Sequence, residues 1–531
     1  MSVIHGEMQP YALTLDKFLD HAARWRPRTE VVTACDDGTS TRIGYAELRR
    51  RGLKATAALQ AEGVRPGEHV ATLAWNTQAH VEVWYGVMGM GAVCHTLNPR
   101  LTDIQLADMT RQSRARILIA SADLAPLARR VAARSEHIEQ VLLIDAPEDQ
   151  AEELADSFRL RAFEPLLRAA PEDAVWGGFD ETSPSGLCFT SGTTGAPKGV
   201  TYTHRGCFLH TLRQLQSDGM GMSGTDSVLV AVPMFHANAW GLPFAVPGIG
   251  ARLVLPGRHL DGASLAALIN AEAVTIAVGV ATVWLGLVEH LEAMGGETPS
   301  LKRVVVGGAA LPPALMERIE TRLGVTVQTS WGMTELSPAG TFAVPDDPER
   351  AAHLSGRPAL GVDLMLMGDD GGPLPEQREA EGHLHVRGAA VIQRYFGATE
   401  DAVDADGWFS TGDMARIDAD GNLIITGRAK DLIKSGGEWI NPAEIEAIVT
   451  EHPGVSLAAV IGRSDPKWGE RPILLVQTRE SSSVSDESLL APLRERLASW
   501  WIPDAVIRLD QMPLAPTGKI DKMRLRVDYG G

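Results

Sequence analysis

Short apolar runs alternate with longer stretches of helical periodicity along most of this 531-residue chain. HVATLAW at 69–75, RILIAS at 116–121, VLLID at 141–145, SVLVAVP at 227–233 and RVVVGG at 303–308 are near-continuous in Val, Ile, Leu and Ala. Such runs predict strands covered on both faces, and helical segments between them predict parallel βαβ crossovers. One unit is complete: after RVVVGG, Pro312 and Pro313 open a helix over PALMERIETRLG, Gly324 closes it, and VTVQTSW at 325–331 is the next strand. The expectation is an α/β fold. The acidic stretch PEDQAEELADS at 147–157 reads as a loop or a solvated surface helix.

Punctuation changes near residue 428. GNLIITGRAKDLIKSGGEWINPAEIEAIV is broken by Gly and charged residues, and about a hundred residues with strand signals of their own follow, such as SLAAVIG at 456–462 and ILLVQTR at 473–479. The expected division is 1–427 and 428–531. There is no repeat of 20 to 50 residues and no low-complexity tract.

Composition narrows the chemistry. With 49 Lys and Arg against 67 Asp and Glu, the net charge of −18 repels nucleic acid and anionic lipid, so neither is an expected partner and an anionic substrate needs a local cationic site. The most apolar stretch, WGLPFAVPGIGARLVLP at 240–256, is interrupted by Pro, Gly and Arg252, so stable membrane insertion is not expected. Cys35, Cys94, Cys188 and Cys207 form no C-x-x-C pair, which points to reduced thiols, and MSVIHGEMQPYALTL lacks the basic and apolar regions of a targeting peptide. A cytoplasmic protein is the expectation.

The strongest chemical signal is FTSGTTGAPKGV at 189–200. Backbone N–H groups and hydroxyls of Thr190, Ser191, Gly192, Thr193 and Thr194 can wrap phosphate oxygens, with Lys198 supplying charge. The loop is not a Walker A motif, because Gly199 rather than Ser or Thr follows Lys198. GGAAL at 307–311, SWGMTE at 330–335, STGD at 410–413, GRAKDLIKSGGEWI at 427–440 and PTGKID at 516–521 follow in order.

Together these motifs resemble the AMP-forming acyl-CoA synthetases and other adenylate-forming enzymes over nearly the whole chain. The resemblance implies a large N-terminal domain of mixed and parallel sheets flanked by helices, and a small mobile α+β C-terminal domain that swings on a hinge near Lys430. It implies that a carboxylate attacks the α-phosphorus of ATP to give acyl-AMP and pyrophosphate, after which a thiol, coenzyme A, displaces AMP. A luciferase-like oxidase and a freestanding enzyme that loads a carrier protein are the alternatives; only about a dozen residues follow Lys519, so a fused carrier domain is not expected.

On this reading Lys519 is the adenylation lysine, and its point charge spans the acid and the α-phosphate; the attacking carboxylate needs no general base. Asp413 holds the ribose hydroxyls, with Ile425 and Arg428 nearby. Gly308, Ala309 and Ala310 face Trp331, Gly332 and Met333 across the adenine, where Trp331 stands in place of the usual Tyr. Glu335 carries Mg²⁺ beside Thr334. Gly436, Gly437, Glu438 and Trp439 approach the pantetheine arm of coenzyme A, and Lys434 is a candidate for the thioester step.

PMFHANAWG at 233–241 and GVATVW at 279–284 resemble the walls of the acyl pocket. Peptide-synthetase adenylation domains place Asp after the Phe; here His236 follows Phe235, so an α-amino acid is not expected. His236, Trp240, Gly279, Val283 and Trp284 are the expected pocket residues. Together with KSGGEWI and DPKWGERP, these segments look most like medium-chain fatty acyl-CoA synthetases and methylmercaptopropionate-CoA ligases, implying a short to medium-chain acid. Relatives are often dimers, so a homodimer is the expected assembly.

Overall fold

A computed structural model describes residues 7–147, 153–154, 158–190, 197–428, 430–435, 438–479, 484–515 and 518–531, with 153, 154, 438 and 439 described through the backbone alone. Two large sheets are built from the Val/Ile/Leu runs. In one, Val93–Thr96, His69–Leu73, Ile117–Ser121 and Gln140–Ile144 lie parallel, while the Gly199–Thr203 edge is antiparallel to Pro184–Phe189. In the other, Glu30–Ala34, Arg252–Leu255, Ser227–Val230, Ile276–Gly279, Arg303–Val306 and Thr326–Gly332 run parallel in that spatial order. Antiparallel strands again close the edges. The α/β expectation therefore holds, with mixed edges on parallel centres.

Alternation along each strand sorts side chains between two cores. Val228, Val230, Val278 and Val305 face the main core, where they meet Val70, Ile119 and Leu142 of the other sheet. Leu229, Ala277, Val304 and Val306 face a second core under the helices Gly262–Ala271, Ala281–Met294 and Pro313–Leu323. The helix Gln78–Gly89 joins the main core, and from His80 to Gly89 every residue is buried, which fits its largely apolar sequence; its buried Glu82 is paired with Arg51. The helix Pro313–Leu323 stops where expected: Gly324 caps it at φ 64°, a conformation that costs a residue with a Cβ roughly 1 kcal/mol.

A third, antiparallel sheet runs Val362–Met367, Ala380–Gly388, Phe409–Ile417, Leu423–Arg428. The next strand, Ile433–Ser435, belongs to a different sheet with Glu438–Ile440, Gly469–Thr478, Val455–Asp465 and Val506–Arg508. Sheet membership thus changes between Arg428 and Ile433, and the small unit packs its own cores around Val460, Leu474, Leu493, Ile461 and Leu525. Of the acidic stretch at 147–157, Glu153–Leu154 is a short edge strand antiparallel to Arg159–Ala162. Among the described residues no helix is long and apolar enough to cross a membrane.

Candidate active site

Register on the third sheet sets the first pair of groups. Asp413 lies directly opposite Arg428, whose Nε stands 2.7 Å from Asp413 Oδ1. Trp331, at the end of the strand Thr326–Gly332, donates its indole N–H to Asp413 Oδ2 at 3.0 Å. Asp413 is only 2% exposed, and burial pushes its carboxyl upward while Arg428 and the indole N–H pull it down. Each carboxylate oxygen has a second lone pair, so the pair of oxygens can still accept two hydroxyls. Trp331 lacks the phenol of a Tyr, yet its N–H takes up a polar role by steadying this carboxylate. Gly340 makes room for the indole, since a Cβ there would stand 2.6 Å from the ring. Ala309 and Ala310 are exposed, and Ile425 and Met333 are half-buried.

Glu335 sits in the single turn Thr334–Leu336. Tyr395 donates its hydroxyl to Glu335 Oε1 at 2.9 Å, and Tyr202 donates to the Thr334 carbonyl at 2.9 Å. The Lys198 ammonium lies 4.8 Å from the Tyr395 ring centroid, so the cation that ends the phosphate-loop motif is coupled to Glu335 through one aromatic ring. Thr190 and Lys198 close the base of that loop: Thr190 N donates to Lys198 O at 2.9 Å and Lys198 N to Thr190 Oγ1 at 3.3 Å. Ser191, Gly192, Thr193 and Thr194 lie outside the described residues. So do Gly436 and Gly437 and the side chains of Glu438 and Trp439.

Lys519 arrives from the small domain. Thr282, in the first turn of the helix Ala281–Met294, donates to the Gly518 carbonyl at 3.2 Å and docks the segment. The Lys519 Cε then passes over Gly308, 3.7 Å from where a Cβ would stand. Loss of water, followed by repulsion from Arg428, pulls the ammonium down to about 8, against the attraction of Asp413 and Glu335. His236 is pulled down to about 4, chiefly by burial and secondarily by the Lys519 charge, which makes it a neutral neighbour of the amine. One charge field therefore joins a lysine of the last segment to both carboxylates.

Beside Lys519, the Trp240 ring crosses Gly307 and Gly308, lying 3.0 Å and 3.6 Å from the Cβ positions those glycines lack. Trp240 projects from a left-handed turn in which Ala237, Asn238, Ala239, Trp240 and Gly241 have φ of 43°, 54°, 47°, 54° and 77°. Four consecutive non-Gly residues in this region carry strain of order 1 kcal/mol each, a concentration found where surroundings over-determine a functional segment. Gly279 and Trp284 sit elsewhere. The Trp284 ring is fully buried in the second core, against the Cα of Gly279, on the opposite face of the sheet from Trp240. Val283 packs on that same core. Lys434 is an exposed residue of the strand Ile433–Ser435, its backbone N–H donating to Glu470 Oε2 at 3.1 Å. Tyr395, Tyr202 and Thr282 carry no spacing signal that marks them in the sequence.

Among the described residues no group of three or more His, Cys, Asp or Glu gathers for a metal. A lone carboxylate, Glu335, suits Mg²⁺ held chiefly by nucleotide oxygens and water.

The family model of the AMP-binding enzyme covers residues 18–396, and that of the AMP-binding enzyme C-terminal domain covers 444–519. The chain is 39% identical to the 3-methylmercaptopropionyl-CoA ligase of Ruegeria lacuscaerulensis, over 99% of this chain and 98% of that one. It is 40% identical to the medium-chain-fatty-acid–CoA ligase of Ectopseudomonas oleovorans, over 99% and 97%. In fold it superposes on an anthranilate CoA ligase in complex with anthranoyl-AMP, with a TM-score of 0.87 at 24% identity over 98% of each chain. A buried carboxylate held by Trp331 and Arg428, an acidic turn tied through Tyr395 to Lys198, and a family match across both parts of the chain stand together: this protein belongs to the AMP-binding enzymes.

Proposed function

We propose that the protein is an ATP-dependent acid–thiol ligase that converts a short to medium-chain carboxylic acid, of the size of a medium-chain fatty acid or 3-methylmercaptopropionate, into its CoA thioester. The observation that carries this reading is the Lys519 ammonium lodged over Gly308, within the fields of Glu335, Asp413 and Arg428. In the first half-reaction a carboxylate oxygen attacks the α-phosphorus of ATP and pyrophosphate leaves. Lys519 offsets the charge gathering on that phosphate, and Asp413 and Arg428 anchor the ribose while the phosphates rearrange. Glu335 would hold Mg²⁺, which would supply further charge neutralisation at the phosphates. In the second half-reaction the CoA thiolate attacks the acyl carbon, and AMP leaves with the oxygen that came from the acid.

Trp240 limits pocket depth beside the reacting carbon, and the neutral His236 lines the same end. Ser191–Thr194 would wrap the triphosphate. The division at 427/428 with a hinge near Lys430 suits a small domain that withdraws Lys519 once the adenylate has formed and brings Lys434 and the 436–439 segment to the thiol. The four free cysteines, three of them buried, support a cytoplasmic setting. A homodimer completes the proposal and is checked by analytical ultracentrifugation.

Acid-dependent exchange of labelled pyrophosphate into ATP, then CoA-dependent release of AMP, tests the proposal across linear acids of two to twelve carbons, thioether acids and aryl acids. Exchange with no acceleration of turnover by CoA would move the reading to a different acceptor, such as a carrier protein.

A further inference from the structure

Along the helix His204–Gln214, the side chains of His210, Arg213 and Gln214 are polar, almost fully buried and contact no reacting atom. Gln214 donates its amide N–H to the Trp240 carbonyl, within the left-handed turn beside Lys519. Arg213 donates from one guanidinium nitrogen to the carbonyls of Leu336, at 3.2 Å, and Ala339, at 2.5 Å, one and four residues after Glu335. His210 touches both segments. Its Nε2 accepts the Ala339 N–H at 3.0 Å, and its Nδ1 edge lies against Gly241, 3.0 Å from the Cβ position that residue lacks. That acceptance fixes a neutral ring with the proton on Nδ1, in keeping with burial that holds His210 well below its usual value.

Arg213 is the unusual member. Among the described residues no carboxylate pairs with it, its Nε is buried without a partner, and burial lowers it to about 10. A buried cation without a counter-ion is costly and is retained where its directed donors specify one backbone arrangement. Here that arrangement is the return of the chain after Glu335.

We propose that His210, Arg213 and Gln214 are positioning residues: a brace that fixes the spacing between the acyl-pocket turn at 237–241 and the Glu335 turn at 334–339. The acid and the metal-bound phosphates are thereby held in reach of one another. The catalytic consequence rests on the adenylate-forming reading; the mechanical coupling does not.

Hydrogen–deuterium exchange of the unliganded full chain tests the coupling. Gln214→Met is expected to raise exchange at 236–243 and Arg213→Met at 334–342, with the strands Ile276–Gly279 and Arg303–Val306 unchanged. Arg213→Lys, which keeps the charge and part of the donor set, recovers some of the protection and decides the matter if the Met variant does not fold. In half-reaction assays Gln214→Met raises KM for the acid about 10-fold at constant KM for ATP. Arg213→Met raises the Mg²⁺ needed for half-maximal pyrophosphate exchange several-fold and slows exchange about 10-fold, while thioester formation from supplied acyl-AMP stays within twofold. Unchanged exchange in both segments, loss of protection across the sheet as a whole, or equal loss of the two half-reactions would overturn the brace. Absence of acid-dependent pyrophosphate exchange in the wild type would remove the proposed function instead, and the deuterium experiment would still decide whether the brace exists.

Discussion

Replacing Lys519 with Ala deletes a cation that the small domain delivers to the cleft. The magnitude follows from its surroundings. Bringing the ammonium from its usual 10.5 to about 8 corresponds to roughly 3 kcal/mol, the net of lost solvation and Arg428 repulsion against the attraction of Asp413 and Glu335. Charge gathering on the α-phosphate offsets that cost in a site where water is sparse, so removing a single directed cation should slow adenylation by roughly 10²–10³-fold. Pyrophosphate exchange reads this step alone, and synthetic acyl-AMP plus CoA reads the other, which should remain within about threefold of wild type. The pH dependence has a definite sign. Lys519 of the free enzyme is charged below about 8 and loses its proton as pH rises through that value, so kcat/KM for adenylation falls on the alkaline side. Lys519→Arg keeps its charge and should lose that alkaline limb. The same shift makes docking without nucleotide favourable at high pH and progressively weaker from about 10.5 down to 8, because docking expels a proton. Equal loss of both half-reactions in Lys519→Ala, or an alkaline limb that persists in Lys519→Arg, would refute the reasoning.

Trp331→Phe keeps a stacking face but removes the N–H that steadies Asp413, so KM for ATP should rise about fivefold, near 1 kcal/mol, with kcat little changed; an unchanged KM would show that Arg428 alone holds the carboxylate. Tyr395→Phe removes the hydroxyl bonded to Glu335 and should raise the Mg²⁺ concentration for half-maximal exchange about threefold or more, read by metal titration at fixed ATP. Trp240→Ala opens the space over Gly307 and Gly308, so the chain-length profile should move toward longer acids, and a constant profile would take Trp240 out of the pocket.

How much of this was legible in the sequence depends on the range of the interaction. Strands buried on both faces need continuous apolar runs, so RVVVGG and SVLVAVP read directly as the sheet centre, and Gly324 marks the helix end because φ 64° favours glycine. The acidic run at 147–157 was less legible, because a two-residue edge strand such as Glu153–Leu154 needs only a neighbour's backbone and leaves no pattern. Within the site, motifs singled out Asp413, Trp331, Arg428, Glu335 and Lys519, but neither the indole bond between Trp331 and Asp413 nor the Tyr395 hydroxyl on Glu335. Trp331 reaches Asp413 across 82 positions and Tyr395 reaches Glu335 across 60, and no periodicity links residues so far apart. Trp240 and Trp284 look equivalent as aromatic walls in the sequence. Their positions on opposite sheet faces follow from where strand Ile276–Gly279 ends and the next helix begins, a difference of a few residues that composition does not encode. The brace was invisible for another reason: His210, Arg213 and Gln214 lie on a helix whose spacing reads as ordinary amphipathic packing.

The central claim is that the acid is activated on the α-phosphorus and that AMP departs with one of its oxygens. Mass spectrometry of AMP after a single turnover with ¹⁸O-labelled carboxylic acid, ATP and CoA tests it directly. The account predicts one ¹⁸O atom in AMP and none in pyrophosphate. Label appearing in inorganic phosphate alongside ADP, or retained in full by the acyl product, would contradict it.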